Sequence, residues 1–194
     1  DAGRPVSIRA INAALDHDRT IVIVSQKDRD VEEPTPDDLF EVGTACNIMR
    51  MKKNPDGTIQ MLVRAFARVR VHSYKHEDGL IEAEVSTIEV PDGNEVELVA
   101  TFRELREKFK DLVESGSRSV QSEVAQFVMN LEDPGQFADY VAYHLDFKLA
   151  DKQAVLEAPT VTERLRKVLI LIDTEIELQE TQRRLQREVK DEID

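Results

Sequence analysis

The residue types that ordinarily carry chemistry are present in this sequence but scattered. His72 and His76 bracket the run HSYKH. At the end of an extended segment that spacing does not converge two imidazoles on one metal ion, and no Cys or further His stands near them, so they read as exposed loop histidines. Cys46, the single cysteine, lies inside the apolar run VGTACNIM without a neighbouring His, which reads as a buried, inert thiol rather than a nucleophile. Glu32 with Glu33, and Asp37 with Asp38, share one acidic loop. An acid/base dyad needs unequal, desolvated environments, which a solvated loop does not provide. The sequence contains no G-x-x-x-x-G-K-[ST] loop to cradle phosphates and no G-x-S-x-G elbow. With no catalytic constellation, no metal set and no cofactor motif, the expectation is a binding, positioning or assembly role.

Two features could bind a partner. Met49, Met51 and Met61 lie on the arms of one expected hairpin. Met49 and Met51 should share a face, and register decides whether Met61 joins them. Flexible, polarizable methionines suit varied apolar partners, and the competing reading is the core of a small sheet. The other feature is the end of the chain. Val161, Leu165, Val168, Leu169, Ile172 and Ile176 form a stripe broad enough for a bundle wall. Beyond Leu178 the apolar positions thin to Leu185, Val189 and Ile193, four apart amid charge, as in a coiled-coil seam or a free arm. Glu180 with Arg184, and Arg187 with Asp191, are spaced for ion pairs along that arm.

The elements around these features follow from periodicity and punctuation. GRPVSIRAINAALDHD reads as a helix with Pro5 in its first turn and Ile8, Ile11 and Leu15 on one face. TIVIVSQ reads as a buried strand, and Thr35 with Pro36 as the opening of one helical turn. Asn54, Pro55, Asp56 and Gly57 separate two β-rich runs as a hairpin turn, and Asp78 with Gly79 turns into one more strand. From Pro91 onward the pattern is helical: one helix ending at Gly116, a second before Asp133, a third capped by Asp133 with Phe137, Tyr140, Val141 and His144 on one face, and a short one before Pro159. The last begins at a Thr160 and Glu163 capping box and runs unbroken to Asp194. The expected class is α+β: a mixed β-sheet or pseudo-barrel lobe over residues 1–93, then a helical bundle over 94–194 with a long helix at 160–194.

Composition narrows the function. The 194 residues are 41% hydrophobic and 34% charged, with aromatics at 5%, so a core can form and helix should carry much of it. A net charge of −13 opposes a sequence-independent grip on nucleic acid and on anionic membrane surfaces. A lone Cys fits a reducing, cytoplasmic setting. The opening DAGRPVS has neither Met nor a signal-peptide core and is expected to lie inside a longer chain.

GRPVSIRAI, IVSQKDRDVEEPTPDDLFEVGTACNI, PDGTIQMLV with ARVRV, and DKQAVLEAPTVTERLRKVLILIDTEIE followed by QREVK together resemble the N-terminal, substrate-binding domain of the Lon family of ATP-dependent proteases. The order and spacing agree over nearly the whole chain. The family has a further apolar strand before the first helix that is missing here. At Arg64 and Ala65 it commonly has an acidic and a small residue. The resemblance implies a non-catalytic domain that recognises unfolded, damaged or degron-bearing proteins and supports assembly. It also implies a parent with a AAA+ module using ATP and Mg, a protease domain with a Ser–Lys dyad, and hexameric rings. The first-helix segment, matched at Gly3, Arg4, Ser7, Ile8 and Arg9, is tied in the family to substrate handling. Pro5, Ile8 and Arg9 are therefore expected to contact clients. The end of the last helix, with Leu185, Val189 and Ile193, is expected to lead toward the motor and serve assembly. The alternative is a stand-alone adaptor of the same domain type.

Overall fold

The computed structural model describes residues 1–91, 93–115 and 120–193, with side chains described as far as Lys190. The chain divides into two compact units, Asp1–Glu89 and Val90–Asp194. The α+β class and the long last helix are as expected.

The first unit holds helix α1 (Pro5–Leu15) and strands β1 (Thr20–Ile23), β2 (Val42–Lys53), β3 (Ile59–Glu77) and β4 (Leu80–Thr87). They form one sheet in the order β1-β2-β3-β4, antiparallel throughout. The two hairpin turns have the chemistry that their residues specify. Gly57 takes φ +86°, and Asp56 Oδ1 accepts hydrogen bonds from Thr58 N (2.9 Å) and Thr58 Oγ1 (2.7 Å). Asp78 and Gly79 both have positive φ, 51° and 76°, as a two-residue hairpin connection requires.

One local expectation changes. β1 is half-buried rather than buried, because it is an edge strand paired on one side only, and Ile23 is exposed. Its end approaches β2 closely: a Cβ at Gly43 would lie 2.5 Å from Ile23 O, so only glycine fits there. In the 3-10 turn Pro36–Asp38 the capping is done by Asp38, whose Oδ2 accepts from Thr35 N at 2.8 Å. The Thr35 hydroxyl donates to the same oxygen, and Thr35 and Asp38 form a reciprocal capping box. Val42, Ala45, Cys46, Val69 and Val71 of the sheet are buried. Ile11 and Ala14 of α1 meet Ile48 and Ile59 of the sheet, with Ile8, Met51, Met61 and Val63 packed around them.

The second unit holds α2 (Glu95–Glu114), α3 (Ser122–Met129), α4 (Pro134–His144), α5 (Leu149–Leu156) and α6 (Val161–Ile193). Polar side chains cap three of these helices. Asn94 Oδ1 accepts from Val96 N, Asp133 Oδ1 from Gln136 N (2.7 Å) and Thr160 Oγ1 from Glu163 N (3.1 Å). The expected stop at Gly116 lies outside the described residues. Leu105, Phe109, Phe137, Val141, Leu165, Val168 and Ile172 are fully buried in one core, with Phe137 edge-on to Phe102 and Phe109. The expected single face of α4 splits. Phe137 and Val141 enter the core, whereas Tyr140 is exposed, edge-on to Phe127 of α3 and stacked on a half-buried His144.

Helices α2 and α6 are tied at three levels. Glu97 pairs with Arg166, Lys108 Nζ with Asp173 Oδ1 at 2.7 Å, and Arg183 donates to Ser115 O at 2.6 Å. The contacts advance together along both helices, so the two run parallel. From Gln182 to Lys190 every side chain of α6 is exposed.

Candidate functional site

Among the described residues no group of three or more His, Cys, Asp and Glu could hold a metal ion. The Cys46 thiol is buried, lies 3.6 Å from Thr44 O, and is pushed above its usual range by that burial, the opposite of an activated thiolate. His72 Nε2 is 2.7 Å from Ser86 Oγ across β3 and β4, and His76 is exposed. Among the described residues no nucleophile, base and oxyanion donors come together; what stands out is a set of exposed apolar side chains.

The candidate surface is on the first unit. Its starting point is the pairing of β2 with β3. Ile48 faces Val63, Arg50 faces Leu62 and Met51 faces Met61, so the register skips Met49. That shift is a β-bulge, which re-aims the side chains on either side of it. Met51 and Met61, directly opposite each other, turn inward with Ile8 onto the α1–sheet core. Met49 stays outside, 46% exposed. Met49 and Met51 therefore do not share a face, which corrects the alternation assumed from sequence. A second shift, between the Ala45 and Cys46 pairings, skips Phe66 of β3.

The structure adds two side chains that the sequence reading did not select. Leu62, next to the bulged Met49, is 61% exposed, and Phe66, four residues further along β3, is 57% exposed. Leu62 and Arg64 alternate with Met61 and Val63, which pack on the core. The outer side of the hairpin thus carries Met49, Leu62 and Phe66 with Arg50 and Arg64 among them, all exposed. The signal for Leu62 lay in the two-residue period of β3, with Ile59, Met61 and Val63 in one phase and Leu62 and Arg64 in the other.

The first-helix residues separate. Pro5 is exposed and begins α1, with exposed Val6 beside it. Ile8 belongs to the core, half-buried. Arg9 reaches across to the β3–β4 turn, where a Cβ on Gly79 would lie 1.8 Å from an Arg9 guanidinium nitrogen. Arg4 bonds Gln26 and donates to Val31 O at 3.1 Å, holding the acidic loop to α1. So the helix start offers Pro5 and Val6 to solvent, while its two arginines secure neighbouring segments. On the second unit, Leu185 and Val189 are 51% and 56% exposed on α6, and the side chain of Ile193 lies outside the described residues. Arg184 pairs forward with Glu188 (4.0 Å) rather than back to Glu180, and Asp191, the expected partner of Arg187, is outside the described side chains.

Comparison with known proteins places this arrangement. The family model for the ATP-dependent protease La (LON) substrate-binding domain matches residues 1–174. Lon protease 2 of Thermus thermophilus is 55% identical over 194 residues, covering all of this chain and 24% of that protein. Lon protease of Escherichia coli K12 is 35% identical over 192 residues, covering 99% of this chain and 24% of that protein. The chain thus spans about a quarter of the length of these relatives. Among solved structures, the N-terminal domain of Mycobacterium avium complex Lon protease superposes with a TM-score of 0.71 at 22% identity, over 89% of this chain and 88% of that one, a likeness of fold. The match across residues 1–174 shows that this chain belongs to the Lon substrate-binding domain family.

Proposed function

We propose that this chain is the client-recognising, non-catalytic part of an ATP-dependent Lon protease. It binds unfolded, damaged or degron-bearing proteins and positions them for a AAA+ ring. The observation that carries the reading is the exposed Met49, Leu62 and Phe66 on the outer side of one hairpin in a domain of this family. An unfolded chain displays apolar side chains that a folded one hides, and three adaptable apolar groups with Arg50 and Arg64 beside them suit short apolar segments flanked by acidic residues. Each contact is weak, because affinity is traded for range. Pro5, with Val6, extends the same role to the start of α1. Ile8, Arg9, Met51 and Met61 support it by holding α1 and the hairpin in place.

The remaining parts of the reading belong to the parent. ATP and Mg would serve its AAA+ module, and a Ser–Lys dyad would cut the client. This sequence has no phosphate-cradling motif in which to hold a nucleotide. The end of α6, where Leu185 and Val189 are exposed and which runs on through Ile193, serves assembly of hexameric rings. A cytoplasmic setting fits the lone buried thiol. The acidic net charge supports a reading without a nucleic-acid or membrane partner, and among the described residues no helix is long and apolar enough to cross a membrane.

The test is the affinity of a permanently unfolded polypeptide for the wild-type chain and for Met49→Ser/Leu62→Ser/Phe66→Ser. A loss of tenfold or more, about 1.4 kcal/mol, with an unchanged thermal transition supports the reading. Unchanged binding by a folded variant moves the surface elsewhere.

A further inference from the structure

The hairpin of β2 and β3 differs in charge from the chain that carries it. Residues 42–74 hold six Lys and Arg, namely Arg50, Lys52, Lys53, Arg64, Arg68 and Arg70, against Asp56 alone, in a chain of net charge −13. Three of the six stand on the outer side. Arg50 lies directly opposite Leu62 in the pairing of the strands, and Lys52 opposite Gln60. Directly paired side chains share a face, and a face repeats every second residue, so Arg50, Lys52, Gln60, Leu62 and Arg64 point the same way. Arg50, Lys52 and Arg64 are exposed. Among the described residues none of these three forms an ion pair, whereas Arg70 is held by Glu41 at 3.2 Å. In a sequence with 39 Asp and Glu, three cations left together without a carboxylate are not a consequence of composition.

Their positions decide what these charges can do. Leu62 has Arg50 across the ladder, about 5 Å away, and Arg64 two residues along β3, about 7 Å away. A client side chain seated on Leu62 therefore has a cation on two sides. At ~3.3 Å per residue, those cations are within reach of client residues two or three positions from the seated one. A carboxylate there meets an unpaired guanidinium or ammonium, and a Lys or Arg there meets like charge. The net charge of −13 does not cancel this. At ~0.15 M salt the screening length is about 8 Å, so a client residue in contact feels Arg50, Lys52 and Arg64 and little of the acids elsewhere.

We infer that Arg50, Lys52 and Arg64 determine specificity by filtering clients on the sign of the charge beside their apolar segments. They admit segments with Asp or Glu within about three residues of a large apolar side chain, and they reject segments flanked by Lys or Arg. The inference rests on the reading of the hairpin as the client surface and adds a rule of selection to it. A nucleic-acid strand is the other anion that a basic, Phe-bearing sheet face could take. Three cations on an acidic chain offer it few phosphate contacts, and Met49 and Leu62 match aliphatic side chains better than bases.

The test uses three labelled peptides with the same Leu and Phe residues in a Gly–Ser chain, flanked by Glu, by Gln or by Lys. Fluorescence anisotropy gives the affinity of each for this chain. The Glu-flanked peptide should bind about tenfold more tightly than the Lys-flanked one, with the Gln-flanked one between them. The differences should close toward ~1 M salt. Arg50→Glu/Lys52→Glu/Arg64→Glu, with an unchanged thermal transition, should reverse the order, and Arg50→Gln/Lys52→Gln/Arg64→Gln should equalise the three. Equal binding of the three peptides by the wild-type chain overturns the filter and leaves the hairpin as the client surface. Binding of none of them overturns that surface as well. A Glu preference that persists in either variant overturns the filter, because the selecting charge then lies elsewhere. So does an oligothymidylate that binds more tightly than the Glu-flanked peptide, which would make the face a nucleic-acid surface.

Discussion

The two units spend their apolar residues differently. In the helical unit large side chains go inward: Phe109, Phe137, Leu105, Leu165 and Ile172 are fully buried in one continuous core. Its exposed rings, Phe127, Tyr140 and Tyr143, rest edge-on or stacked on one another and on His144. In the sheet unit the buried apolar side chains are smaller, Val42, Ala45, Cys46, Val69 and Val71 beside the cluster of Ile11, Ala14, Ile48 and Ile59, and Met49, Leu62 and Phe66 are left outside. A packed core gives a domain its stability, and an unpacked, adaptable surface gives it a range of partners. On the proposed function, the first task falls to the helices and the second to the hairpin.

The largest effect should come from breaking the helical core. Phe137→Ala removes a fully buried ring and its two edge-on contacts, for about 3–5 kcal/mol. Met61→Ala, at a half-buried position of the sheet unit, should cost only about 1–2 kcal/mol. Urea unfolding followed by probes in each unit separates the two. Equal losses would mean that the sheet unit is as tightly packed as the helical one.

A smaller contrast lies within the hairpins. Gly57→Ala meets no atom within 4 Å and pays only for its positive φ, about 1 kcal/mol. Gly79→Ala bears the same strain and must also displace the Arg9 guanidinium, so its melting temperature should fall further. Arg9→Ala in the Gly79→Ala background should recover the difference. Helix capping gives a comparable but simpler loss: Asp133→Ala should cost about 1 kcal/mol, confined to the helical unit, by thermal melting.

The smallest effect is on pH dependence, and it should differ between the units. Burial, with Lys152 nearby, holds His144 below its ordinary value of 6.5. The unfolded chain then takes up that proton first, so stability is present above pH 6.5 and declines as pH falls through it. In the sheet unit, hydrogen bonds from Thr58 hold Asp56 below its ordinary value of 3.8, and bonds from Thr35 do the same for Asp38. Their contribution is present above pH 3.8 and is lost as pH falls through the lower folded values. On mild acidification the helical unit should soften first. His144→Gln should flatten its urea midpoint between neutrality and about pH 5.5.

What could be read from the sequence was local and had a mechanism attached. Pro55, Asp56 and Gly57 make their turn because φ and a carboxylate dictate it. Asp133 and Thr160 start their helices because a side-chain oxygen meets free N–H groups, and Leu165, Val168 and Ile172 are spaced for one helix face. The rest depended on pairing that no short window contains. The bulge at Met49 is set by where β2 meets β3, and it decided that Met51 turns inward while Met49 does not. Leu62 and Phe66 were visible as residues, but their exposure depends on which phase of β3 the helix α1 covers. Tyr140 looked like a core residue by spacing, and it is exposed because the core accepts only the Phe137 and Val141 side of α4. On α6, Leu185 and Val189 were selected, whereas Ile170 and Leu178 were not, although both are exposed.

The most direct measurement of the central claim, that clients meet the hairpin and not the helical core unit, is residue-resolved NMR. Amide shifts of the chain would be followed while a permanently unfolded polypeptide is titrated in. The account predicts perturbations concentrated at residues 49–50 and 61–66, with smaller ones at the start of α1, and little change around Phe127 and Tyr143. Perturbations centred on Phe127, Tyr140 and Tyr143, with the hairpin unmoved, would contradict it.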